Sequence, residues 1–217
     1  MILDPSSLGL FIAASVLLIL APGPDIIFLV SQSVALGPRA GFLTALGLAC
    51  GNLVHTLLAA LGISVIFRAS PAAFQALKIA GVAYLLFLAW KAIRARAPVP
   101  ADPAVGAQPS MPPPAAGLFL KGVLMNVLNP KVALFFLAFL PQFVTPESGP
   151  VWLQMIVYGL LFTAFVIAIF GTIGLLAGHV TRRLGSRWAS PGAASRGKWL
   201  VAGVYAALAA RLAFLHP

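Results

Sequence analysis

The chain has 217 residues, of which 61% are hydrophobic and only 8% charged, with a mean hydropathy of +1.02. A soluble domain is nearer a quarter charged, so this composition points away from a water-soluble fold and toward spans of ~20 residues crossing ~30 Å of hydrocarbon. Fourteen Lys and Arg against four Asp and Glu give a formal charge of +10. These basic residues lie mostly in short loops between oily spans, where they set orientation and do not mark a nucleic-acid binder.

Backbone in lipid must hydrogen bond within its own segment, so the expected class is all-α, and the short alternating strands of a barrel are absent. Six spans are predicted in chain order. The start, "MILDPSS", has no positive n-region, so a cleaved signal peptide is not expected. The first span, about 7–35, is interrupted by "PGPD", with Pro22, Gly23, Pro24 and Asp25. The second, 40–67, contains "GLACGNLVHTLLAALG". There Gly47 and Gly51 permit close helix contact, and Asn52 and His55 share a face one turn apart. An imidazole there can relay protons or make an ordinary interhelical hydrogen bond, and both readings stay open. The third span is 72–92, where Tyr84 is a candidate pocket residue.

Residues 94–115, within "RARAPVPADPAVGAQPSMPPPAAG", read as a Pro/Ala-rich flexible linker between halves 1–93 and 116–217 of a single membrane domain. The fourth span, 116–143, contains "NPK": Asn129, Pro130 and Lys131, with Asn126 one turn earlier on the same face. The fifth, 151–178, carries Tyr158 as a second candidate pocket residue, and the sixth is 198–215. Trp90, Trp152 and Trp199 near span ends suit interfacial anchors.

Loop charges orient the chain. Arg39, Lys91, Arg94, Arg96, Arg182, Arg183, Arg187, Arg196 and Lys198 collect on one side, against Arg68 and Arg211 on the other. The rich side should be cytoplasmic, with both termini outside. The single cysteine, Cys50, rules out an intrachain disulfide and a paired-thiol electron relay. No phosphate loop is present, which argues against a self-contained ATP-driven pump. His55, His179 and His216 fall on separate segments, so no metal site and no cofactor are expected.

The halves resemble each other. Gly9, Leu10, Phe11, Leu20 and Pro22 match Gly117, Leu118, Phe119, Leu128 and Pro130 without a gap. Three spans per half makes the second half enter from the opposite side: a 3+3 inverted repeat with spans one and four broken at prolines. Interruptions at matching positions point to a transport site. An interior proline costs a helix ~3 kcal/mol and a charge near mid-membrane at least ~2.5–3.5 kcal/mol. Each half carries both liabilities, which a segment that only had to sit in lipid would not keep. Locally, Gly23 or Pro22 can end a helix, Pro24 begins a new one and Asp25 falls in its first turn. In the partner, Asn129 suits an N-cap and Pro130 the first position. Lys131 then wants a counter-ion, either Asp25 or a substrate carboxylate; the spacing leaves open which.

"APGPD", the second span ending "AALGIS", and "GVLMNVLNPKVALFFLAFLPQFV" resemble the LysE/RhtB family of bacterial amino-acid exporters over almost the whole chain. The resemblance implies a six-segment inner-membrane protein, not an enzyme, that exports amino acids using the membrane potential or proton gradient. Asp25, Lys131, Pro22, Gly23, Pro24, Asn129 and Pro130 fall on that family's motif positions. The expected partners are a small zwitterionic substrate, protons and the lipid bilayer, with a homodimer permitted by the small-residue faces. The alternatives are a passive channel or an accessory membrane subunit.

Overall fold

The structure, a computed structural model, describes residues 5–21, 23–69, 71–94 and 113–184, with residues 206 and 210. The expected linker and the sixth span fall almost wholly outside these residues, as does Pro22. Among the described residues there is helix and no strand. The α-helices among these residues run in order: α1 Pro5–Leu20, α2 Pro24–Leu36, α3 Pro38–Ala69, α4 Pro71–Arg94, α5 Ala115–Val127, α6 Pro130–Leu134 and α7 Val151–Leu184, and residues 206 and 210 are also helical. After α6 the chain widens into a π-helical turn, Phe135–Phe139, then tightens into a 3-10 turn, Leu140–Phe143.

The first and fourth expected spans are both broken. α1 and α2 meet at a bend of 54°, and α5 meets the Pro130–Phe143 segment at 50°. Pro38–Gly62 within α3 and Val151–Thr181 within α7 are long and apolar enough to cross a membrane as single rods, and each bent pair qualifies as one further span. The second piece of the fourth span is less regular than the two-half-helix reading expected. Only five of its residues are α-helical, and the π turn that follows spreads Phe135, Phe136 and Phe139 into the core.

Apolar lipid gives helices no hydrophobic reason to associate, so they adhere by van der Waals packing over small residues. α3 shows this on two sides. A side chain at Gly47 would collide with the Phe119 carbonyl and Gly122 of α5, and one at Gly51 with Asn126. On its other flank, Gly41 lies against Gly174 of α7, and Gly159 of α7 leaves room for Thr56. Gly178 packs on Pro38 in the same way. A Cβ at Gly62, by contrast, would meet no atom of the described residues within 4 Å. Ser33 of α2 donates its hydroxyl to the Gly174 carbonyl, tying α2 to the same seam.

An aromatic cluster joins α1 to the second half. Phe11 packs on Tyr158 (ring centroids 4.6 Å apart) and edge-on to Phe143 (5.2 Å). Phe135 lies 4.8 Å from Phe162. Tyr158 is therefore a core residue here, and Tyr84 pairs with Phe87 on α4. Neither suggested tyrosine borders the cavity described below. Trp90 and Trp152 are half exposed near the ends of α4 and α7, and the Arg94 guanidinium lies 4.5 Å over the Trp90 ring.

Candidate functional site

The site begins with what prolines lack. In an α-helix each N–H donates to the carbonyl four residues earlier, so Pro22 has nothing to offer the Leu18 carbonyl and Pro130 nothing to offer Asn126. A buried carbonyl needs a partner from elsewhere. The Leu18 carbonyl receives Lys131 Nζ at 3.3 Å, and the neighbouring Ala21 carbonyl receives it at 3.1 Å. The Asn126 carbonyl receives the Asn129 N–H at 2.9 Å and lies 3.1 Å from His55 Nε2. A carbonyl only accepts, so Nε2 carries the hydrogen. The His55 ring also stacks on Phe136.

The restart of each span follows the local sequence. Gly23 is the N-cap of α2, Pro24 its first residue, and Asp25 lies in its first turn. Asn129 is the N-cap of α6, its Oδ1 accepting the Lys131 N–H at 3.0 Å, with Pro130 in the first position. Gly23 sits at φ −145° and ψ −179°, extended backbone that any residue adopts. Its glycine answers to space instead: a Cβ would stand 2.7 Å from Asp25 Oδ1 and 3.0 Å from Lys131 Nζ.

Those two charges meet. Lys131 Nζ lies 3.1 Å from both Asp25 carboxylate oxygens, and the residues are 3% and 2% exposed. Each charge alone would be costly at this depth, and together they neutralise each other. The sequence left open whether Lys131 would meet Asp25; the fold joins them across 106 residues of chain.

A narrow cavity borders the pair, with a water-accessible volume of about 10 Å³, room for about one water. Its polar walls are Asp25, Lys131, Asn52 and Asn126, and its apolar walls are Leu18, Ile19, Val132, Phe162, Val166 and Phe170. Both amide atoms of Asn52 and Oδ1 of Asn126 are buried with no hydrogen-bond partner among the described residues. Burying such groups unpaired is costly, which suits groups kept for a ligand. Four of the six polar residues singled out from the sequence thus converge. Asn129 stands apart as the cap of α6, and His55 stands behind Asn126. Among the described residues no group of His, Cys, Asp or Glu is arranged to hold a metal ion.

The sequence reading missed the backbone carbonyls of Leu18 and Ala21 and the apolar walls. Phe162, Val166 and Phe170 recur every four residues on α7 and so share a face. That signal is present in the sequence, but an oily span offers several such stripes, and lipid-facing ones look the same.

The LysE type translocator family model matches residues 16–213. The uncharacterized membrane protein YrhP of Bacillus subtilis is 30% identical over 168 residues, 76% of this chain and 80% of its own length. An uncharacterized membrane protein of Vibrio cholerae is 33% identical over 168 residues, 77% of this chain and 79% of its own. The leucine efflux protein of Klebsiella pneumoniae is 26% identical over 206 residues, 95% of this chain and 94% of its own. No solved structure matches the chain. With a match over nearly its whole length and apolar helices to suit it, this multi-pass membrane protein belongs to the LysE-type translocator family.

Proposed function

We propose that the protein is a secondary exporter of amino acids or close derivatives across a bacterial inner membrane, and that it works as a proton-coupled antiporter. Two inverted three-helix halves would rock about the site and expose it alternately to each side. The positive-rich loops would face the cytoplasm, with both termini outside.

One observation carries this reading: the Asp25–Lys131 ion pair stands where a broken helix of one half meets a broken helix of the other. A zwitterion offers both charges in return, its ammonium for Asp25 and its carboxylate for Lys131. The apolar wall of Phe162, Val166 and Phe170 suits an aliphatic side chain, consistent with the leucine efflux relatives. A cavity of about 10 Å³ is far too small for any amino acid, so uptake requires the halves to separate. That separation is the step alternating access needs. Protons enter at Asp25, where a proton and a substrate ammonium compete for one carboxylate.

The test is counterflow in proteoliposomes with a panel of labelled amino acids, repeated across pH. The expected result is saturable exchange favouring branched aliphatic substrates, accelerated by an opposing proton gradient. Asp25→Asn should insert normally and lose coupled export. Flux that neither saturates nor senses the proton gradient would identify a passive pore and overturn the reading.

A further inference from the structure

The lysine at the first break has a complete set of partners. A primary ammonium carries three N–H donors and no acceptor, and Lys131 Nζ faces three oxygen sites: the Leu18 carbonyl, the Ala21 carbonyl and the Asp25 carboxylate. All three belong to residues 18–25 of the first half, and none to the half that carries the lysine. The end of α1 adds the negative end of a helix dipole, which favours a cation. The cradle is therefore complete without Lys131, which enters it as a ligand would.

We propose that Leu18, Ala21 and Asp25 form a receptor for a primary ammonium group, and that Lys131 is its tethered occupant, displaced by the substrate ammonium during transport. The displacement rests on the exporter reading above; the receptor does not. A substrate α-ammonium has the same three donors as the lysine and fits the same oxygens. The cavity beside the pair cannot hold a second ammonium while the lysine is seated, so the two groups exchange places. Once displaced, Lys131 still borders the cavity, where the substrate carboxylate becomes its counter-ion and the Asn52 amide, without a partner among the described residues, offers further hydrogen bonds. A zwitterion adds no net charge, so the empty and loaded centres are electrically alike. Selectivity follows as well: each methyl group on the nitrogen removes a donor, and a quaternary ammonium has none.

The experiment is thermal unfolding of full-length Lys131→Gln in detergent, titrated with methylammonium, tetramethylammonium or sodium chloride at matched ionic strength. Methylammonium should raise the midpoint saturably and more than sodium, tetramethylammonium should not, and the wild-type protein, holding its own lysine, should show no such difference. Equal responses of the variant to all three salts, no response to methylammonium, or the same response in wild type would each overturn the receptor. A second measurement needs no variant. In wild-type counterflow, N-methylleucine should compete at least tenfold more weakly than leucine, and equal competition overturns the proposal. If wild type exchanges no amino acid, the export reading fails while the methylammonium titration still judges the receptor. If leucine exchanges but Lys131→Gln ignores methylammonium, the receptor fails and the export reading stands.

Discussion

At each of its two proline breaks the chain frees a carbonyl four residues upstream, and each is met by a basic side chain from the other half. Lys131 reaches from the second half to the Leu18 carbonyl, and His55 from the first half to the Asn126 carbonyl. In the ungapped sequence match of Gly9–Pro22 with Gly117–Pro130, Leu18 aligns with Asn126, 108 residues on, and Pro22 with Pro130. The symmetry ends there. The second break closes largely by itself, since the Asn129 N–H reaches the same carbonyl and the Asn129 side chain caps the restart. The first break has no side-chain cap, and its oxygens face a full positive charge. In the same alignment Lys131 falls at the position of Gly23, the residue whose missing Cβ makes room for its ammonium. One break is a socket and the other bears the plug.

The sharpest way to break this contrast is to remove the plug. Lys131→Met leaves a buried carboxylate unpaired and should cost about 3–5 kcal/mol, measured by denaturant unfolding in mixed micelles. Adding Asp25→Asn should recover most of that loss without restoring transport. Lys131→Met as stable as the wild type would mean that the pair does not hold the halves together.

Next in size are the seams that bring the breaks together. Gly47→Ala and Gly122→Ala force the α3–α5 contact apart and should cost roughly 1–3 kcal/mol by thermal unfolding. Gly62→Ala meets nothing among the described residues and should be neutral, or stabilising by up to about 1 kcal/mol, since alanine favours helix over glycine.

His55→Ala tests the second break. The Asn126 carbonyl keeps the Asn129 N–H, so the loss should be only about 0.5–1.5 kcal/mol for one hydrogen bond, well below that of Lys131→Met. Equal effects at the two positions would erase the asymmetry. Asn129→Ala removes a helix cap worth about 1 kcal/mol and leaves the ion pair in place. Its effect should appear in unfolding and not in the substrate preference measured by counterflow.

Much of this was legible in the chain because it follows from covalent chemistry. Proline lacks an N–H wherever it stands, so the bends at "PGP" and "NP" were readable, as were the Asn129 cap and the close approach at Gly47 and Gly51. Other features were not. The apolar walls Phe162, Val166 and Phe170 carry no mark that separates them from residues facing lipid, because in an oily span both are oily. The π turn at Phe135–Phe139 lies in a run of leucine and phenylalanine that favours no particular helical pitch. His55 could be assigned a face but not a partner, because its acceptor is a backbone oxygen 71 residues away.

Residue types and their order along the chain thus determined the helical class, the places where two spans break, and the ionisable group each half sets beside its break. Only the tertiary structure decided that Lys131 crosses to the opposite half, that three first-half oxygens receive it, and that Asn52 and Asn126 border the same cavity. The reason is physical. A break is a local consequence of a missing N–H, whereas the partner of a freed carbonyl depends on which distant helix packs near enough to supply one.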